Sequence, residues 1–177
     1  MVTMGIRQST GLFVSPINTD TGLGIVTISF ALAIGQFVWG AVQPIAGAIA
    51  DRYGPGRVLA GGVVLLACGS ALTPFMTSSF GIVVSMGVLT AMGAGACSFS
   101  VLTGAVSHFV LPAHRGTASG VINAGSSFGQ FVFAPIAQRL IAGLGWMGAM
   151  WSLALMTLLA LPITRLMRRT PQAAAAL

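Results

Sequence analysis

Charge is what this chain has least of. Only 8 of its 177 residues are lysine or arginine and 2 are aspartate or glutamate, a charged share of 6% against about 25% in ordinary soluble domains. Lysine is missing altogether. Gly22 to Ala50 and Val58 to Ser107 contain no Asp, Glu, Lys or Arg. A soluble domain of this size leaves roughly 30% of its chain surface in water. A chain that is 55% apolar with mean hydropathy +0.94 has too little polar surface to meet that demand, so lipid is its solvent.

Further absences remove whole classes of function. The two cysteines, Cys68 and Cys97, lie far apart inside apolar runs; they read as small buried hydrophobes, with neither metal-ligand nor disulfide spacing. Both histidines, His108 and His114, fall in one short segment between apolar runs. An intramembrane serine protease needs a histidine at the depth of its serine on another helix, so that chemistry is excluded. The paired Asn-Pro-Ala half-helices of a water channel are absent, as is a threefold Pro-x-Asp/Glu-x-x-Lys/Arg repeat. No enzyme activity, cofactor or metal is expected. The formal charge of +6 is dispersed over the gaps between apolar runs and does not line one face, which argues against nucleic acid as a partner.

What is present is a series of apolar runs of membrane-spanning length. A bilayer core of ~30 Å takes about 20 helical residues, and continuous apolar runs indicate helices, not barrel strands. Six helices are predicted, at about 1–18, 22–50, 58–75, 80–107, 116–138 and 145–165, with 170–177 as the start of a cytoplasmic linker. The first is short for a span, and is read as a helix that lacks its opening turns. Arginine placement sets the orientation: Arg52, Arg57, Arg115, Arg165, Arg168 and Arg169 fall on one side, and Arg139 on the other. The positive-inside rule places the first group, and the C-terminus, in the cytoplasm.

The second and fifth predicted helices echo each other. Pro44-Ile45-Ala46 matches Pro135-Ile136-Ala137, Gly54 matches Gly145, and Phe37 matches Phe128 at the same offset. A three-plus-three inverted repeat pairs those two helices.

The segment "GAIADRYGPGR", residues 47–57, concentrates an acid, two arginines and three glycines between two uncharged runs. Gly54-Pro55-Gly56 reads as a tight turn. Asp51 sits at a helix C-terminus, where the macrodipole disfavours an anion; Arg52 and Arg57 are its nearest cations. Gly47-x-x-x-Asp51-Arg52-x-Gly54-x-x-Arg57 resembles the signature between the second and third helices of the major facilitator superfamily. The resemblance implies an all-α membrane fold in which this chain matches the N-terminal six-helix half of a twelve-helix transporter, completed by a C-terminal half or by a second copy. It further implies that Asp51, Arg52 and Arg57 form a gating charge network, with Gly47 and Gly54 allowing close packing. Gly56 stands where the family often has a basic residue, which thins that network.

"GIRQSTGLF" (5–13) together with "DRYGPGRVL" (51–59) is similar to bacterial members of the monocarboxylate and oxalate–formate branch. That implies a small organic anion as substrate and a bacterial inner membrane as location. Arg7 fits independently: an arginine at membrane depth costs roughly 2.5 kcal/mol or more and ordinarily faces a water-filled cavity, and guanidinium pairs with carboxylate through two parallel hydrogen bonds. Snorkelling to the inner surface is the other reading of Arg7. Gln8, Gln36, Gln43 and Asn123 are the polar side chains that would complete such a cavity. Thr90 stands where proton-coupled drug exporters of the superfamily tend to carry arginine, which argues against that chemistry. Gly116, Gly120, Gly125 and Gly129 provide spacing for close helix packing. A non-transporting six-helix scaffold or partner subunit is the alternative function.

Overall fold

The computed structural model describes residues 2–107, 110 and 114–162. Arg165, Arg168, Arg169, His108, the last residues of the predicted 145–165 helix and the linker at 170–177 lie outside them. Among the described residues every regular element is helical. Four of these helices, Ile25–Tyr53, Pro55–Phe75, Ser79–Gly104 and Arg115–Leu158, are long and apolar enough to cross a membrane.

The chain opens with α1 (Val2–Ser9), a 3-10 turn (Thr10–Phe13) and α2 (Val14–Thr21), forming one rod. Pro16 lies inside α2, and the helix runs on to Thr21, past the expected end at about residue 18. A proline is tolerated in a first turn because the N–H it lacks has no intrahelical acceptor there, and the tight 3-10 turn before it lets the helix restart. The actual stop is Gly22, left-handed at φ 66° and ψ 11°, whose N–H donates to the Asn18 carbonyl at 3.0 Å.

Helix α3 (Ile25–Tyr53) follows, and Gly54 alone separates it from α4 (Pro55–Leu72). The charged stretch 47–57 is therefore the abutting ends of two helices and not an extended loop. The first helix continues through Asp51 and Arg52, and Pro55 occupies the first position of the next, where its fixed φ suits helix entry. Gly54 makes the reversal at φ 91° and ψ 138°, a conformation that costs an L-residue with a Cβ.

After a 3-10 turn (Thr73–Phe75) come α5 (Ser79–Ile82), a π-helical stretch (Val83–Leu89), α6 (Thr90–Ala96) and α7 (Phe99–Ser107). Helix α5 starts at Ser78, whose hydroxyl accepts from the Gly81 N–H at 3.1 Å, an ordinary N-cap. The predicted helix over 80–107 is thus broken at Cys97-Ser98.

Helix α8 (Arg115–Leu158) contains one non-helical residue, Gly145, at φ 72° and ψ 172°. Residues 139–144 were expected to form a connecting loop; they are helical, and Arg139 lies on the helix. Contacts give the direction. Gln8 meets Gln130 whereas Asp20 meets Trp146, so residues 115–144 run parallel to the α1–α2 rod. Beyond Gly145 the chain turns back, because Leu153 shares a small void with Ile6 and Thr10. The two glycines that match in the sequence, Gly54 and Gly145, therefore make equivalent reversals.

Close helix approach depends on absent side chains. A Cβ on Gly93 of α6 would stand 2.3 Å from the Leu66 nitrogen and 2.6 Å from the Gly62 oxygen of α4, so α4 and α6 pack backbone to backbone. Gly116 and Gly120 do not serve this purpose, since nothing lies within 4 Å of a Cβ there. The core joins Phe13 and Ile17 from the first rod, Ile28 from α3, Ile82 from α5, and Ala149 and Leu153 from the end of α8. Three buried hydroxyls donate back to their preceding turn, Ser9 to Gly5 O at 2.9 Å, Thr73 to Gly69 O at 2.7 Å and Thr157 to Leu153 O at 2.8 Å, which satisfies them where water is absent; the Ser98 and Thr103 hydroxyls find no partner among the described residues. Of the cysteines, only Cys97 is buried, its Sγ 3.5 Å from the Leu59 carbonyl. Cys68 is exposed on the outer face of α4, correcting the expectation that both are buried; its neighbour Ala67 faces inward instead.

Candidate functional site

Arg7 lies on α1, three residues before the chain tightens into 3-10 geometry at Thr10. Its Nη2 donates to Gln36 Oε1 on α3, its Nη1 lies 3.4 Å from Gln8 Oε1, and its Cζ sits 4.2 Å from the centre of the Trp39 ring. Gln36 and Trp39 are three residues apart, so one face of α3 presents both. From Gln8 the contacts continue: Nε2 donates to Gln130 Oε1 on α8 at 3.4 Å. Three helical rods thus meet around one guanidinium.

Beside this cluster is a cavity of ≈ 240 Å³. Arg7, Gln8, Gln36, Thr10 and Thr90 give it polar edges, and Leu32, Met86 and Ala91 an apolar wall. Gly35 keeps it open where α3 passes the π-helical stretch: a Cβ there would lie 3.3 Å from the Gly87 oxygen. Among the described residues Arg7 is the only charged one lining the cavity. Such a chamber, mostly apolar with a few convergent polar groups, suits a small solute carrying one anionic end.

The structure brings Arg7, Gln8 and Gln36 together. Asn123 does not line this cavity; it is exposed on α8, two turns before Gln130. Gln43 also stands apart, accepting from the Ser100 hydroxyl at 2.9 Å as an interhelical bond. Trp39, Gln130 and the cavity-lining role of Thr90 were not anticipated. A tryptophan in an apolar run is indistinguishable from a lipid-facing one by composition, although its position three residues after Gln36 was a usable signal.

The charged helix ends form a second locus. Asp51 lines a notch of ≈ 130 Å³ with Gly47, Pro55, Ser100 and Gly104. The Arg52 Cζ lies 5.4 Å from the Tyr53 ring centre. Gly47 and Gly54 do not bring chains close within this molecule, since nothing lies within 4 Å of a Cβ at either; Gly54 is needed for its positive φ.

Comparison with known proteins agrees with this architecture. The family model of the Major Facilitator Superfamily matches residues 1–176. The chain belongs to the major facilitator superfamily. It is 29% identical over 146 residues to monocarboxylate transporter 13 of Rattus norvegicus, covering 82% of this chain and 34% of that protein. It is 30% identical over 141 residues to the probable sulfoacetate transporter SauU of Cupriavidus necator, covering 80% of this chain and 30% of that one. It is 32% identical over 122 residues to the fujikurins efflux protein of Gibberella fujikuroi, covering 69% of this chain and 26% of that protein. The chain spans about a third or less of the length of these relatives. As a member of a transporter superfamily it is a multi-pass membrane protein and not an enzyme.

Proposed function

We propose that this chain is a six-helix half of a secondary transporter that moves small organic anions, monocarboxylates foremost, through a lipid bilayer by alternating access. The observation that carries the reading is Arg7: a guanidinium over the Trp39 ring and bonded to Gln36, at the edge of a cavity whose described lining holds no other charge. A half-buried cation at membrane depth is costly without an anion to receive, and its planar donors suit one carboxylate. Gln8 and Gln36 would orient the bound anion. The names of two relatives, a monocarboxylate and a sulfoacetate transporter, point to the same class of solute.

The six-span, three-plus-three arrangement draws support from the matched pairs. Gly54 and Gly145 both reverse the chain at positive φ, Pro44 and Pro135 both lie inside helices, and Phe37 and Phe128 are both exposed, at 77% and 58%. With the arginine-rich side inward, the C-terminus is cytoplasmic and the membrane is a bacterial inner membrane. Gly47, Asp51, Arg52, Gly54 and Arg57 then form a gating element on the cytoplasmic face.

A second reading, a partner subunit or scaffold without transport of its own, is favoured by the large apolar side chains that α3 and α8 leave exposed, including Phe30, Phe37, Val121 and Phe131. Those faces suit a second six-helix unit, either a C-terminal half or another copy. Reconstitution in liposomes separates the readings. Uptake or exchange of labelled lactate, abolished by Arg7→Gln, supports transport by this site. Transport that appears only with a co-expressed six-helix unit supports the half-transporter. No transport in either preparation would remove the anion-carrier reading.

A further inference from the structure

We infer that Trp39 is the positioning residue of Arg7, and that its ring, carried on backbone packed against Gly95, sets how the guanidinium meets an anion. The inference rests on the anion-carrier reading for its substrate class but not for its geometry.

The chain of contacts begins on α6. A Cβ on Gly95 would stand 3.0 Å from the Trp39 carbonyl oxygen and 3.2 Å from Val42, so α6 presses directly on the backbone that carries the indole. The ring then lies over Arg7, its centre 4.2 Å from Cζ. Its own polar atom does not fix it, because Trp39 Nε1 is buried and has no hydrogen-bond partner among the described residues. What holds ring and guanidinium together is the face-on cation–π contact.

The geometric consequence concerns Arg7. Its free side chain samples many rotamers and loses entropy when fixed. The Trp39 ring lies against the guanidinium carbon, and the side-chain oxygens of Gln36 and Gln8 lie against two of its nitrogens. The remaining in-plane donors form an edge wide enough for one carboxylate. Both glutamines turn oxygen toward Arg7; the Gln8 amide already donates to Gln130, which leaves the Gln36 amide N–H groups as donors. Arg7 then supplies the charged donors for one carboxylate, and among the described lining residues a second carboxylate on the same solute finds no cation.

Gln130 has the matching place in the repeat, since it stands to Pro135 as Trp39 stands to Pro44. It holds the opposite end of the cluster by accepting from Gln8. The two equivalent positions thus brace the α1 pair from opposite sides.

Two readouts on the purified chain in lipid nanodiscs test the inference. The first needs no substrate: the rate at which phenylglyoxal modifies Arg7, followed by peptide mass spectrometry. Trp39→Leu keeps apolar bulk and removes the π face, and is expected to raise that rate severalfold; Trp39→Phe retains a face and is expected to stay near the wild-type rate. The second is binding of labelled lactate. Trp39→Leu should weaken it by about two- to thirtyfold, the range of a cation–π contact from exposed to desolvated, with Trp39→Phe restoring most of the loss. Combined with Arg7→Gln, Trp39→Leu should add nothing further, because coupled residues are non-additive. An Arg7 modification rate unchanged by Trp39→Leu, or a Phe variant as impaired as the Leu variant, overturns the positioning role even if lactate binds. Modification behaving as expected with no lactate bound by the wild type leaves the positioning intact and removes the carboxylate reading instead.

Discussion

The Trp146 indole N–H donates to Asp20 Oδ2 at 2.9 Å, joining the end of α2 to the residue just after the Gly145 reversal. Asp20 is the last acid before the long uncharged run, and Trp146 is 7% exposed. The bond therefore ties the first rod to the turn between residues 115–144 and 146–158. Asp20→Ala leaves a largely buried indole N–H without an acceptor, at a cost of roughly 1–3 kcal/mol, whereas Asp20→Asn keeps an acceptor oxygen. Thermal unfolding in detergent is expected to rank wild type, Asn and Ala in that order. Equal melting of the Ala variant and wild type would show the bond to be without energetic weight.

Backbone packing of α4 on α6 makes a sharp contrast between two glycines. Gly93→Ala would place a methyl 2.3 Å from the Leu66 nitrogen, an atom held in a helix that cannot move aside. Overpacking of this kind costs about 1–3 kcal/mol or more, so the variant is expected to lose monodisperse protein on size-exclusion chromatography. Gly61→Ala meets nothing within 4 Å, and removing an interior helical glycine stabilises by about 0.5–1 kcal/mol. That variant should be as well behaved as wild type or better.

The matched reversals predict matched penalties. Gly54 and Gly145 have φ 91° and 72° with nothing nearby to clash among the described residues, so an alanine at either meets backbone strain alone, about 1–3 kcal/mol. Each single variant should lower the unfolding temperature by a similar amount. The double variant should be additive, since distant sites without shared partners behave independently. A large loss at one glycine and none at the other would break the equivalence.

Thr90 donates twice to the Ser85 carbonyl, through its backbone N–H and through Oγ1 at 2.9 Å. Thr90→Val removes the hydroxyl at nearly constant volume. The expected cost is about 1 kcal/mol, read as a lower melting temperature. Hydrogen exchange should accelerate within residues 83–90 and stay unchanged in α4.

The sequence made the helical class, the family and most helix positions legible, for reasons that are local. Uncharged runs report lipid exposure directly, and Gly54 was recognisable because Pro55 follows it and charges flank it. Gly145 was harder: it lies among Gly143, Leu144 and Trp146 with no charge or proline to mark a turn, so a loop was assigned to residues 139–144 that are in fact helical. The start of the second helix was also misplaced, because Gly22 and Gly24 belong to an uncharged run but take positive φ. In the site, Arg7, Gln8 and Gln36 were readable because polar groups inside apolar runs are conspicuous. Trp39 was not, since its contribution is made by the face of an otherwise ordinary apolar ring. Gly95 was visible only as one of many small residues in "TAMGAGAC", and its position against the Trp39 backbone is a tertiary fact.

The wide turn at Val83–Leu89 bears on how this chain tolerates changes in length. An α-helix closes its ladder over four residues and a π-helix over five, so this stretch carries a surplus amino acid relative to a regular helix. Excising one residue from it would let the ladder tighten while Ser79–Ile82 and Thr90–Ala96 keep their present facings, whereas the same excision from the middle of α3 would rotate everything beyond it by about 100°, the angle between successive residues of a helix with 3.6 residues per turn. The segment is the one place in its helix where the reading of the sequence can slip by a codon without turning the far end away from its neighbours.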